Sequence, residues 1–294
     1  MTQIVLCSFF VFMCTIRALA EPTFGPEFTF TNREIINGQT DLYAVNSEAS
    51  EKYRDLLAER VLNLCDGCFE EIILSKYETV VKKIVYPDGF YFTIGTDPKV
   101  VEVQTTPLTV REIILHMPRF KNDLFAAASQ VGVFPDNRFG GGHIHMGFES
   151  SVGNNVLLMR NLIVDITNHP ELSIGILDND YFNAPPIAKL PSQYQEAFKR
   201  IIADVDRRKI RSVKVLAHRI NQEVYSWNGN RHYLAEKFHA LNLMRIVDRF
   251  WDLSERTFEF RSIRAQNSPE EFLILTRLFA GRIAHLKRVT KPIP

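Results

Sequence analysis

Four short stretches of the chain alternate polar and apolar residues with a period of two. They are Glu27-Phe28-Thr29-Phe30, Val101-Glu102-Val103-Gln104, His143-Ile144-His145-Met146 and Phe258-Glu259-Phe260-Arg261. Successive side chains of an extended strand point to opposite faces. Each stretch therefore lays carboxylate, imidazole or guanidinium groups on one face and packs aromatic or branched residues behind it. Gly140-Gly141-Gly142 precedes the histidine pair and leaves room for a backbone or a ligand to approach closely. Taken alone, the histidine stretch equally fits a surface strand with two ordinary histidines; the recurrence of the pattern favours a shared polar surface.

The remaining periodicity predicts mainly helices. Residues 47–64 carry the stripe Leu56, Leu57, Val61, Leu62 and Leu64 behind a Ser47 or Ser50 cap. Residues 69–84 read as a second helix, closed by the turn sequence Pro87-Asp88-Gly89. Strands are expected at 90–94 and 100–104 around an Asp97-Pro98 turn, then a helical pattern over 109–131 interrupted at Pro118. An apolar helix is expected at 154–168. Residues 169–192 hold Pro170, Pro185, Pro186 and Pro191 and read as a long irregular connection of the lid type. Within it, Asp178-Asn179-Asp180 reads as a turn former rather than a metal site. Residues 192–225 are expected to be helical, with Arg207-Arg208-Lys209 and Arg211 as a solvated helix end, and Trp227 to Arg231 as a turn. Residues 240–245 and 256–264 are expected as adjacent antiparallel strands. Ser268-Pro269-Glu270-Glu271 opens a C-terminal helix with a cap, a first-position proline and acids in the first turn. No fixed-period repeat or low-complexity segment is present.

Composition narrows the class. Hydrophobic residues make up 46% and charged residues 23% of 294, as in a globular enzyme rather than a disordered chain. The apolar run from Ile4 to Ile16, ending in Ala18-Leu19-Ala20 before Glu21, reads as a secretory signal over residues 1–20, leaving 21–294 as the folded domain. The expected destination is export (periplasmic, secreted or delivered to a host), with a membrane-anchored start as the alternative. The formal charge of +1 falls to zero without Arg17, so no global field points to nucleic acid or a membrane surface. Cys7 and Cys14 leave with the signal. The remaining Cys65-Asp66-Gly67-Cys68 is too small a set for a four-thiolate zinc site and in an exported chain reads as a local disulfide at a helix–helix corner.

Glu27, Glu102, His143, His145, Glu259 and Arg261 would share one sheet face, and carboxylates and imidazoles are donors that divalent metals take. The order of the segments that carry them resembles the amidoligase family, carboxylate–amine ligases of the glutamine synthetase fold. The matching segments are Phe24-Gly25-Pro26-Glu27, Glu102-Val103-Gln104-Thr105-Thr106-Pro107-Leu108, Gly142-His143-Ile144-His145, His239-Ala240-Leu241-Asn242-Leu243 and Thr257-Phe258-Glu259-Phe260-Arg261. Together they span roughly residues 24–288. The resemblance implies an α+β fold: a glutamine synthetase-like antiparallel sheet with a concave polar face, helices covering the other face.

It also implies an ATP- and Mg2+- (or Mn2+-) dependent ligase that makes an amide or isopeptide bond through an acyl phosphate. The partners implied are a small-molecule, peptide or protein-side-chain carboxylate plus an amine. By the resemblance, Glu27, His143 and Glu259 share one metal and Glu102 serves a second. His145 and Arg261 lie at the nucleotide phosphates with Arg264 assisting, and Arg261, His145 and Glu259 form the catalytic set. Two positions depart from the family pattern. Thr29 stands where a second acid is usual, and Gln104 where a small residue is common. No nucleophile elbow, phosphate loop or H-E-x-x-H helix occurs. The alternatives are a His/Glu metal-dependent hydrolase, with zinc as the metal, and a non-catalytic binding module on the same fold.

Overall fold

Phe24, Phe28 and Phe30 are fully buried on one face of the first strand and belong to the main hydrophobic core. The computed structural model describes residues 21–39, 47–75, 78–169, 171, 184–226, 239–247 and 256–294. The expected signal at 1–20, the turn at 227–231 and most of the 169–192 connection, with Asp178-Asn179-Asp180, lie outside the described residues.

The strands are β1 (Phe24–Phe30), β2 (Phe69–Leu74), β3 (Val80–Val85), β4 (Tyr91–Asp97), β5 (Val100–Thr105), β6 (Ile144–Gly147), β7 (Leu241–Asn242) and β8 (Thr257–Phe260). Among the described residues they form one eight-stranded sheet in the order β2-β3-β4-β5-β1-β6-β8-β7, every named pairing antiparallel. With its helices this makes a mixed α+β protein. Helical residues from Arg119–Phe125 and Pro269–Leu286 pack on the phenylalanine face. Phe28 meets Phe120, Phe125 and Phe272 edge-on with centroids 5.2–5.8 Å apart, while Phe260 stacks on Phe279 at 4.0 Å.

Local signals start several helices; α1 (Arg33–Gly38), α5 (Phe148–Ser151) and α9 (Met244–Val247) are short. In α2 (Glu48–Leu64) the Ser47 hydroxyl accepts from the Ser50 amide and Ser50 reciprocates, a capping box. In α6 (Val156–Asn168) the Asn155 side chain accepts from the Leu158 amide at 3.0 Å. The 109–131 pattern becomes α3 (Val110–Leu115), a π-helical segment (Arg119–Phe125) directly after Pro118, and α4 (Ala126–Val131). The C-terminal helix α10 (Pro269–Leu286) begins at the expected proline. The 192–225 pattern divides into α7 (Ser192–Asp206) and α8 (Val213–Glu223), with Arg208 at φ 59° in the link. Its basic run is exposed there, as expected of a solvated end.

The expected helix over 69–84 is a β-hairpin instead, β2 with β3. Ile72, Ile73, Val80, Val81, Ile84 and Val85 are β-branched and favour extended backbone. Cross-strand contacts Glu70–Lys82 (2.7 Å) and Glu71–Lys83 (2.8 Å) join the strands. The turn is closed by Ser75 N–H donating to Thr79 O at 2.9 Å, with Glu78 at φ 60°. Cys65 and Cys68 are disulfide-bonded, Cα atoms 5.5 Å apart. The corner they staple therefore joins a helix to a strand, not two helices. Among the described residues no helix is long and apolar enough to cross a membrane.

Candidate metal centre

The face of the sheet opposite the phenylalanines carries the chemistry, and register decides which groups meet. β1 lies between β5 and β6, with Glu27 opposite Gln104, Thr29 opposite Glu102 and Gly25 opposite His145. Glu27 N–H donates to His143 O at 2.8 Å, extending that ladder by one residue. His145 lies opposite Glu259 across β6 and β8, and Glu259 opposite Asn242 across β8 and β7. Strands distant in sequence thus bring Glu102, Glu27, His143, His145 and Glu259 onto one strip.

Glu27 is the hub. Its Oε2 lies 2.8 Å from His143 Nδ1 and its Oε1 2.8 Å from His145 Nε2. His143 Nδ1 also stands 3.3 Å from Glu259 Oε1. Arg261, directly after β8, reaches Glu259 Oε1 at 2.5 Å, and Asn242 Nδ2 donates to Glu259 Oε2 at 2.8 Å. Gln104 Nε2 donates to Glu102 Oε1 at 2.8 Å and to Glu27 Oε1 at 3.2 Å. His145 Nδ1 lies 2.9 Å from the Thr257 hydroxyl. That hydroxyl can donate or accept, so it serves either tautomer of the ring.

Burial sharpens the electrostatics. Glu27, His145 and Glu259 are all buried. Burial by itself would raise the Glu27 carboxyl, but the charge of His145 and hydrogen bonds with His143 and His145 hold it well below the ordinary range. Glu259 is likewise raised by burial and by Glu27, yet Arg261 and the two imidazoles bring it below the ordinary range. Glu102 goes the other way. Burial, then the Glu27, Asp97 and Glu259 charges, push it well up despite the Gln104 hydrogen bond.

The glycine-rich approach is used by the protein itself. Thr29 Oγ1 donates to Gly141 O at 2.9 Å. A Cβ on Gly140 would collide with Thr29, and one on Gly142 with the Arg264 carbonyl and the Gln266 side chain. Gln266 Nε2 in turn donates to Gly142 O and Arg264 O at 2.9 and 3.0 Å. Arg264 pairs with Glu271 of α10 at 3.3 Å. His239, though within a matching segment, is packed in the core. It stacks on Tyr225 at 4.1 Å, its Nε2 3.1 Å from the Tyr225 carbonyl oxygen.

Sequence reasoning named every member of the central cluster but not Asn242 or Thr257 as site residues. Both sit in the matching segments. Thr257 was recognisable by parity, two residues before Glu259 and so on the same face.

Ligand atoms of Glu27, His145 and Glu259 lie within 4.8 Å of one another. Metal–donor bonds of about 2.0–2.2 Å place neighbouring donors roughly 3 Å apart, so the set fits a single small divalent ion with modest side-chain adjustment. Two carboxylates held ionised and a neighbouring second imidazole suit the same purpose. His143, expected as a ligand, lies against both carboxylates. His145, expected at phosphate, stands within the donor set. Compared with protein-family models and with curated proteins, the chain matches none.

Proposed function

We propose that this protein is an ATP-dependent carboxylate–amine ligase of the glutamine synthetase-like kind, using Mg2+ or Mn2+ at the Glu27–His145–Glu259 centre. The observation that carries the reading is the convergence of Glu27, His143, His145, Glu259 and Arg261 on one face of an antiparallel sheet.

The reaction makes one bond at the expense of another. A substrate carboxylate oxygen attacks the γ-phosphorus and ADP leaves; an amine then attacks the acyl carbon, phosphate leaves and the amine loses a proton. A bound divalent ion supplies charge neutralisation at phosphate oxygens. Glu27 and Glu259 anchor the ion as carboxylates. His145 donates a ring nitrogen, with Thr257 fixing the ring. Arg261 brings a fork-shaped cation beside the centre, suited to the transferring phosphoryl group. Asn242 holds the second oxygen of Glu259 and so fixes its rotamer. The substrates proposed are a small-molecule, peptide or protein-side-chain carboxylate and an amine. Export to a compartment that supplies ATP, a host cell for example, completes the proposal.

The paired imidazoles favour a second reading, a His/Glu zinc hydrolase. Nucleotide binding by residues 21–294, with and without Mg2+ or Mn2+, separates the two. Metal-dependent ATP affinity that disappears in Glu259→Gln supports the ligase. Absence of nucleotide binding, with a chelator-sensitive hydrolysis that needs no nucleotide, supports the hydrolase.

A further inference from the structure

Gln104 fills the space between two carboxylates. It rises from β5 directly opposite Glu27 of β1, while Glu102 stands two residues away on the same face. Its single amide nitrogen is 2.8 Å from Glu102 Oε1 and 3.2 Å from Glu27 Oε1. An amide nitrogen carries two protons and no acceptor lone pair, so both contacts are donations. One nitrogen therefore bridges an oxygen of each acid, the position a second cation between Glu27 and Glu102 would need.

The neighbouring position offers no compensation. Thr29, opposite Glu102 in the register, spends its hydroxyl proton on Gly141 O at 2.9 Å and is buried against Gly140. It brings no charge, and a hydroxyl is a much poorer ligand for a hard divalent ion than a carboxylate. The second cation that the family resemblance implies at Glu102 thus meets an amide donor and a committed hydroxyl. The residues present do not fit it.

We propose that the centre is mononuclear and that Gln104 makes it so. The amide holds Glu27 and Glu102 together as a neutral bridge, leaving Glu27, His145 and Glu259, with His143 beside them, as the cation site of this sheet face. The inference rests on the reading that this cluster binds a divalent ion; it does not depend on ATP being the co-substrate. Gln104 is thereby a specificity-determining residue for metal count, and Glu102 is its hydrogen-bond acceptor rather than a ligand.

The test counts Mn2+ bound per chain on the purified protein, by equilibrium dialysis with elemental analysis and no nucleotide present. The wild type is expected to bind one ion. Gln104→Ser removes the bridge and leaves the two carboxylates facing an open gap, so it is expected to bind two. Gln104→Glu keeps the side-chain size, which guards against a packing failure, and replaces the amide by a third carboxylate; two ions are again expected. Adding Glu102→Gln to Gln104→Ser should return the count to one. Thermal melting verifies that each variant is folded. Two ions in the wild type, or one ion in both folded Gln104 variants, overturns the proposal. No bound Mn2+ in the wild type overturns the metal reading beneath it, a distinguishable result. Loss of the ligase reading alone shows in nucleotide binding and leaves the ion count unchanged.

Discussion

Glu27 Oε1 and His145 Nε2 lie 2.8 Å apart, although 118 residues separate them in the chain. β6 pairs directly beside β1, and both side chains leave the same face, so the contact follows from register rather than from any local turn. The Thr257 hydroxyl, 2.9 Å from the other ring nitrogen, orients the imidazole. Partners of this kind are worth roughly 10–100-fold in metal affinity. Thr257→Val should weaken Mn2+ binding by about that factor while leaving the melting temperature nearly unchanged. Glu27→Gln should weaken it more. Calorimetric titration of both variants checks the order; equal affinities for wild type and Thr257→Val would remove Thr257 from the site.

Acid should destabilise the protein through His239. Burial pushes this imidazole down from 6.5 to about 4, outweighing its hydrogen bond to the Tyr225 carbonyl. A group whose folded value is depressed stabilises the fold above its unfolded value and loses that contribution as pH falls toward the folded one. The loss therefore runs from about pH 6.5 to about 4 and amounts to roughly 3 kcal/mol. Urea denaturation between pH 7.5 and 4.5 should show a shallower decline in His239→Gln than in wild type. An identical slope would exclude His239 as its source.

Two glycines should respond oppositely to alanine. A Cβ at Gly142 meets the Arg264 carbonyl and Gln266 with no free space, whereas one at Gly281, exposed on α10, meets nothing. Gly142→Ala should lower the melting temperature and weaken metal binding, because it displaces the loop that leads into His143. Gly281→Ala should stabilise the helix by about 0.5–1 kcal/mol. Thermal melts of the two variants decide this, and a destabilised Gly281→Ala would refute the helix assignment of an open site.

Reduction of the Cys65–Cys68 disulfide should have a small effect. The closed loop is short, which limits the chain-entropy contribution to roughly 2 kcal/mol. Cys65→Ser with Cys68→Ser should therefore fold and bind Mn2+ as the wild type does, with a modestly lower midpoint in urea. Lost metal binding in that folded variant would tie the corner to the centre in a way its position does not provide for.

How far the sequence carried these conclusions differs by element. The alternation in β1, β5, β6 and β8 was legible because a strand has a period of two, and parity alone assigns Glu27, Glu102, His145 and Glu259 to one side of their strands. A serine cap at the start of α2 acts on its own first turn and is likewise local, the structure choosing Ser47 over Ser50, whereas the Asn155 cap lies inside the expected 154–168 helix and was not read. Residues 69–84 misled because their charges and branched residues satisfy a helical spacing as readily as a strand; the partner strand decides, and β3 continues onto β4. Asn242 was visible only as part of a family-like segment, since a two-residue strand has no period to read.

By itself, then, the sequence determined which side chains could share a face, where α2 and α10 begin, and which donor types were available. Those properties depend on backbone geometry over a few residues. Tertiary structure alone decided that β1 sits between β5 and β6, that His145 joins Glu27 and Glu259 within one donor set, and that Gln104 lies between two carboxylates. Each depends on strand order and register between distant segments, and pairing energies over the whole sheet choose those together.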